Sequence, residues 1–292
     1  MFKQANNIEE IKPVKIKKLR IRIMYILLGI FIVVAVACAV GLGYELYTSN
    51  QGRTYYSNLA AEIETRPRVY ESLRPIAPPV SPTNAPDGAA ETGEVPVPDE
   101  YVWVPYVDFD ALSERFPGIV AWIRLEGTAL DYPLMQGTDN YFFLGHLPDG
   151  TSHRNGSVFL DNRNNADLSD RNSLIYGHES RTGDMFGMLK NYRQQTFYEE
   201  NPVINIYTAS NDYELLLFAG YLVDSGVEAP SIIFRDDAAF ERYIADLKRR
   251  SFFRSDVEVG VDDRIVSLCT CAYDYTNARW VIVGKLVDVS PS

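Results

Sequence analysis

The stretch "IVSLCTCAYDYTNARWVIVGKL", Ile265 to Leu286, reads as two strands around a polar loop. Its flanks complete them as "DRIVSLCTC" and "RWVIVGKLVDV", rich in β-branched and apolar residues. If Cys271 closes the first strand, the seven residues "AYDYTNA" form the connection, and antiparallel pairing brings Arg279 back beside Cys271. Side chains two apart in a strand share a face, so Cys269 and Cys271 are both candidates for one site.

Three chemistries compete for this pair. A disulfide between residues i and i+2 closes a small, strained ring, and redox motifs prefer CxxC. A metal site needs more ligands, yet His146, His153 and His178 form no close HxxxH or HExxH pattern with the cysteines, so no metal is expected. A nucleophile fits better: a cysteine needs a base or a cation to hold its thiolate. His178 ends the apolar strand "NSLIYGH" before a polar loop, the natural rim of a site. A guanidinium at Arg279 would donate hydrogen bonds to a tetrahedral oxyanion. A lone histidine or a strand-start arginine is more often structural, so the reading rests on the combination.

Further strands follow the same pattern. "IVAWIRLEGTALDYPLMQ" reads as two around a Glu-Gly turn, and "GSVFLD", "NSLIYGH", "PVINIYT" and "YELLLFAGYLV" add four. About eight short strands in some 190 residues favour a barrel or sandwich over an α/β layer. Helices are expected at "DFDALSERF", with Asp108 as N-cap, and at "GDMFGMLKNY", with Met185, Leu189 and Tyr192 on one face. A third, "RDDAAFERYIADLKRR", has Asp236 or Asp237 as N-cap, an apolar stripe at Phe240, Tyr243, Ile244 and Leu247, and basic residues in its last turn.

The N-terminal third is different. From Ile23 to Tyr44 there is no charged residue, close to the ~20 apolar residues that cross a bilayer. "KPVKIKKLRIR" precedes it, so the positive-inside rule predicts a cytoplasmic N-terminus and an external remainder. A cleavable signal peptide is the rival reading, with "VAVACAV" as a mimic of a cleavage site, but its apolar core is usually only ~7–15 residues. Residues 1–22 carry seven Lys/Arg and two Glu, so the chain's net −11 leaves −16 beyond them, which argues against nucleic-acid binding.

"SNLAAEIETRPRVYESL" reads as a short stalk, and nine of the 16 prolines fall between Pro67 and Pro105. That composition predicts an extended tether. The expected organisation is a basic tail at 1–22, a transmembrane helix at 23–44, stalk and linker at 45–100, and a catalytic domain at 101–292.

Several segments carry a family resemblance. Ser267-Leu268-Cys269-Thr270-Cys271 resembles the Thr-Leu-x-Thr-Cys signature of sortases, the membrane-anchored cysteine transpeptidases of Gram-positive bacteria, with Ser in first place. "NSLIYGH" with "GDMFGMLKNY", "ARWVIVGKL", "IVAWIRLEGTALDYPLMQGTDNYFFL" and "GSVFLDNRN" resemble class B members, in order from about Tyr106 to Val289. Ala229-Pro230 stands roughly where many of them carry Tyr-Ile.

The resemblance implies a mainly β fold: an eight-stranded sortase-type barrel with N-terminal helices and a helix, here Asp236 to Arg250, inserted before the cysteine strand. It makes Cys271 the nucleophile, His178 the acid/base and Arg279 the oxyanion partner, with Cys269 at the variable position. Asn140, Leu144 and Tyr176, together with Leu268 and Thr270 of the signature, are the implied substrate-binding residues.

The implied reaction cleaves a C-terminal sorting signal of surface proteins after Thr and passes the acyl group through a thioester to an amine of peptidoglycan or its lipid-linked precursor. A pilin-polymerising sortase and a hydrolytic cysteine protease are the alternatives. No cofactor and no oligomer are expected; the membrane partner is the N-terminal helix. With reference pKa values of about 8.5 and 6.5, only about 1% of molecules would hold thiolate and imidazolium together at pH 7.

Overall fold

Eight strands form where alternation and β-branching predict them: β1 (Ile119–Arg124), β2 (Asp131–Met135), β3 (Val158–Leu160), β4 (Asn172–His178), β5 (Val203–Tyr207), β6 (Asp212–Asp224), β7 (Arg264–Cys271) and β8 (Ala278–Asp288). They close into a barrel in the order β1-β2-β3-β4-β7-β8-β6-β5. The pairs β2/β3 and β4/β7 are parallel, and the rest are antiparallel. This computed structural model describes residues 13–64, 107–180, 182–224, 230–271 and 278–290, with 13–19, Glu64 and Cys271 described by backbone alone. The tail to residue 12, the linker from 65, the loop at 225–229 and the connection at 272–277 lie outside the described residues.

Strand alternation sorts the side chains into three layers. Every strand contributes to one buried cluster, including Ile123, Leu134, Leu160, Ile175, Ile206, Leu217, Leu268 and Ile282, which is the barrel interior. A bulge between Leu217 and Ala219 reverses β6, so that Ala219, Tyr221 and Val223 face outward. There they pack with Leu174, Cys269 and Val281 beneath Phe240, Ile244 and Leu247. Burial of each such side chain contributes about 1.5–3 kcal/mol.

Those last three belong to helix α4 (Asp237–Arg250), the insertion before β7; α1 (Pro13–Glu64), α2 (Phe109–Arg115) and α3 (Gln195–Glu200) precede it. Asp236 caps α4 by accepting from Ala239 N–H, and Asp108 caps α2 by accepting from Ala111 N–H. In both, a carboxylate satisfies one of the amides that a helix start leaves open.

The expected helix after Gly183 does not form as an α-helix. Gly183 and Met185 take φ of +84° and +53°, the chain turns, and only Leu189–Arg193 winds, as a 3-10 helix. Met185, Leu189 and Tyr192 are nonetheless all buried. Their spacing reflected a shared core, which a turn and a 3-10 segment serve as well as an α-helix.

The chain divides into two compact units, Met1–Gln51 and Gly52–Ser292. In the first, α1 carries exposed apolar residues from Ile21 to Val40 and is long and apolar enough to cross a membrane. In the second, the last turns of α1 bury Tyr56, Leu59, Ala60 and Ile63, a helical stripe. Leu59 and Ile63 pack with Phe109, Leu112, Phe116 and Trp122, so this part of the stalk belongs to the folded unit.

Candidate active site

The site is set by register. Parallel pairing of β4 with β7 runs from Asn172↔Ile265 to Tyr176↔Cys269 and His178↔Cys271, so the two strands end together. On the other side, β7 and β8 pair from Arg264↔Leu286 to Cys269↔Val281. Trp280 N–H then donates to Thr270 Oγ1 at 2.9 Å, and Arg279 follows one residue nearer the start of β8. Two hydrogen-bond ladders thus bring His178, Cys271 and Arg279 to one end of three adjacent strands.

His178 is only 4% exposed. Its Nε2–H donates to the Leu144 carbonyl at 2.6 Å, an acceptor that cannot donate, so Nδ1 is the nitrogen that takes up a proton. Burial pushes the imidazole below its usual pKa; the Leu144 carbonyl opposes that shift, and the Arg154 charge adds to it. Imidazolium is therefore scarcer at His178 than independent titration gives.

Cys269 lies one pair back, fully buried. Burial pushes its thiol up to about 11 although the Arg279 guanidinium beside it pulls the other way. Cys269 is a packed thiol and poor nucleophile. Arg279 keeps a buried Nε with no hydrogen-bond partner among the described residues.

Asn140 and Tyr176 gather around Asp161. Tyr176 OH donates to Asp161 Oδ2 at 3.4 Å, and Asn140 Oδ1 accepts from Asn162 N–H at 2.8 Å. Asp161 is fully buried; burial raises its carboxyl pKa, but two Arg163 contacts of 2.8 Å and its other hydrogen bonds outweigh that and hold it below the usual range. Asp161 and Arg163 belong to "GSVFLDNRN", a segment the sequence marks without assigning them a role.

Leu268 and Thr270 go elsewhere. Both are fully buried, Leu268 in the barrel interior and Thr270 with its hydroxyl engaged by Trp280, so neither side chain lines a surface that a peptide reaches. Alternation decides this: Leu268 and Thr270 occupy the strand positions either side of the outward Cys269. Leu144 acts on the site through its carbonyl, which no side-chain pattern announces. Among the described residues, no group of three or more His, Cys, Asp and Glu is placed to hold a metal ion.

Comparison with known proteins agrees with this architecture. The chain is 35% identical over 184 residues to sortase B of Staphylococcus aureus, a match covering 62% of this chain and 75% of that one. A S. aureus sortase B–substrate complex superposes with a TM-score of 0.60 at 35% identity, over 62% of this chain and 85% of the other. A sortase B complexed with triglycine gives 0.64 at 29% identity, over 83% and 100%. No family model matches the chain. On that identity and coverage, with the closed eight-stranded barrel, the chain belongs to the sortase B family of cysteine transpeptidases.

Proposed function

We propose that this transpeptidase uses Cys271 to attack the carbonyl carbon after a threonine in a C-terminal sorting signal. The thiolate forms a C–S bond, the oxyanion draws on the Arg279 guanidinium, and the imidazolium of His178 gives its proton to the leaving amine as the C–N bond breaks. A thioester remains. An incoming amine from peptidoglycan or its lipid-linked precursor then attacks it, His178 takes the amine's proton, and the Cys271 thiolate departs. Arg279 serves the second oxyanion as it serves the first.

The observation that carries this reading is the paired register: His178↔Cys271 across β4/β7, with β8 bringing Arg279 to the same strand end. The Arg279 Nε, buried and without a hydrogen-bond partner among the described residues, supports the oxyanion role. The substrate-bound and triglycine-bound relatives support a peptide donor and a small amine acceptor. For location, we read α1 as a single-pass anchor. Seven Lys/Arg before the span favour a cytoplasmic N-terminus, which puts the catalytic unit outside the cell. Asn140, Leu144 and Tyr176 remain candidates to line the peptide groove; the whole acts as a monomer.

The test uses the full chain in detergent micelles with a panel of threonine-containing sorting peptides and triglycine. Cys271→Ala is expected to lose cleavage and transfer by about 10⁴-fold or more, while Cys269→Ala stays within about twofold of wild type. Loss in Cys269→Ala instead, or activity in both, overturns the assignment. A kcat/KM profile without a bell shape counts against the Cys271–His178 pairing. Product that goes to water even at saturating triglycine would replace transfer by hydrolysis.

A further inference from the structure

We propose that Arg53 on α1, acting through Asp184, is a positioning residue for His178; this rests on the acid/base assignment of His178 made above. The chain folds back directly after His178: Phe186 N–H donates to the His178 carbonyl at 3.0 Å, and Glu179 and Met185 form an isolated bridge. The returning arm is therefore tied to the residue that carries the ring.

Asp184 anchors that arm. Its carboxylate, in a residue 4% exposed, accepts from Thr182 Oγ1 at 2.6 Å. It also accepts a fork from Arg53, with Nε at 2.9 Å from Oδ1 and a terminal nitrogen at 3.2 Å from Oδ2. A two-point, charge-assisted contact fixes orientation as well as distance. The next residue, Met185, is held in the left-handed region with φ of +53°, its N–H donating to Tyr132 OH at 2.8 Å. A non-glycine residue stays in that region only where its surroundings hold it there.

One helical turn after Arg53, Tyr56 reaches the loop beside Leu144, whose carbonyl accepts from the imidazole. Its hydroxyl donates to the Gly156 carbonyl at 2.6 Å. Gly156 lies so close to the Phe143 and Leu144 carbonyls that a Cβ would stand 2.3 and 2.5 Å from their oxygens. Leu144 O is the acceptor for His178 Nε2. Tyr56 also packs edge-on against Tyr132, with centroids 4.9 Å apart. A single turn of α1 thus braces both the turn that follows His178 and the loop whose carbonyl orients its ring.

Arg115 supplies an internal control. It pairs with Glu62 on the same helix at 2.9 Å, tying α1 to α2 rather than to the His178 loop. The experiment measures kcat and KM for transfer to triglycine with the full chain in detergent, alongside thermal unfolding, for Arg53→Gln, Arg53→Lys, Tyr56→Phe, Arg115→Gln and His178→Ala. Arg53→Gln is expected to lower kcat by about 10- to 100-fold, with KM within about threefold, because a misplaced acid/base costs rate more than binding. Arg53→Lys recovers part of the loss, Tyr56→Phe moves kcat the same way by less, and Arg115→Gln leaves both constants unchanged. If Arg53→Gln and Tyr56→Phe both match Arg115→Gln in kcat, differing from it in melting temperature alone, the proposal falls. If His178→Ala is as active as wild type, the assignment beneath it falls instead, a separate and visible outcome.

Discussion

Inward from β7, Val266 and Leu268 join the barrel interior, and Thr270 spends its hydroxyl on the Trp280 amide. Outward, the same strand presents Ile265, then Ser267, whose hydroxyl donates to Asn172 Oδ1 at 3.0 Å, then Cys269 beside the Arg279 guanidinium. Both faces are dry, yet the inner one is mostly packing and the outer one carries polarity and charge towards the strand end that His178 and Arg279 flank. A single strand can hold a fold together and aim a site because its two faces answer to different neighbours.

Breaking the inner face has the largest expected effect. Leu268→Ala leaves a cavity in a closed barrel and is expected to cost about 2–5 kcal/mol in chemical denaturation, while kcat of the folded fraction changes less than about twofold. A large kcat loss without a stability loss would return Leu268 to the substrate.

The outer face is sharpened by thiol chemistry. With its thiol pushed up to about 11, Cys269 holds very little thiolate at neutral pH. Iodoacetamide on the native chain is therefore expected to label the Cys271 peptide faster than the Cys269 peptide by more than about a hundredfold, a gap that closes in denaturant. Equal labelling in the native chain would mean that Cys269 is neither buried nor raised.

The smallest effect is electrostatic. His178 has a folded pKa below its unfolded one, because burial disfavours imidazolium. Its contribution to stability is complete above the unfolded value of about 6.5 and is lost as pH falls through the depressed folded value. The stability of wild type relative to His178→Asn is thus expected to shrink as unfolding is followed from about pH 8 down to about pH 4. A difference that is flat with pH would show an imidazole as well solvated as in the unfolded chain.

The strands were legible because alternation is local. Barrel closure was not: the pair Tyr176↔Cys269 joins distant parts of the chain, and no pattern within either strand specifies its partner. The segment after Gly183 shows the opposite failure. There helical spacing was real as a burial pattern, while glycine and a left-handed methionine made a turn. Asp108 and Asp236 were readable as caps because a cap and its amide lie three residues apart.

At the site, His178 and Arg279 stood out by their place at strand ends; the register pairs His178 with Cys271, and Arg279 lies near the start of the adjacent β8. Leu268 and Thr270 were taken for substrate contacts because they sit inside the signature; alternation turns them inward. Arg53 and Tyr56 drew no notice, since the stretch from residue 45 onward reads as stalk and their partners lie far along the chain.

By itself, then, the sequence determined what short-range physics decides: which runs extend, where helices start, which span is apolar enough for a bilayer, and which residues have the chemistry of a nucleophile, a base and a cation. Only the tertiary structure decided which strand lies beside which, that Arg53 and Tyr56 of α1 bond to Asp184 and Gly156, and that one cysteine is a packed thiol. Strand partners, desolvation and buried ion pairs depend on atoms that meet only after the chain has closed, so no window of sequence contains them.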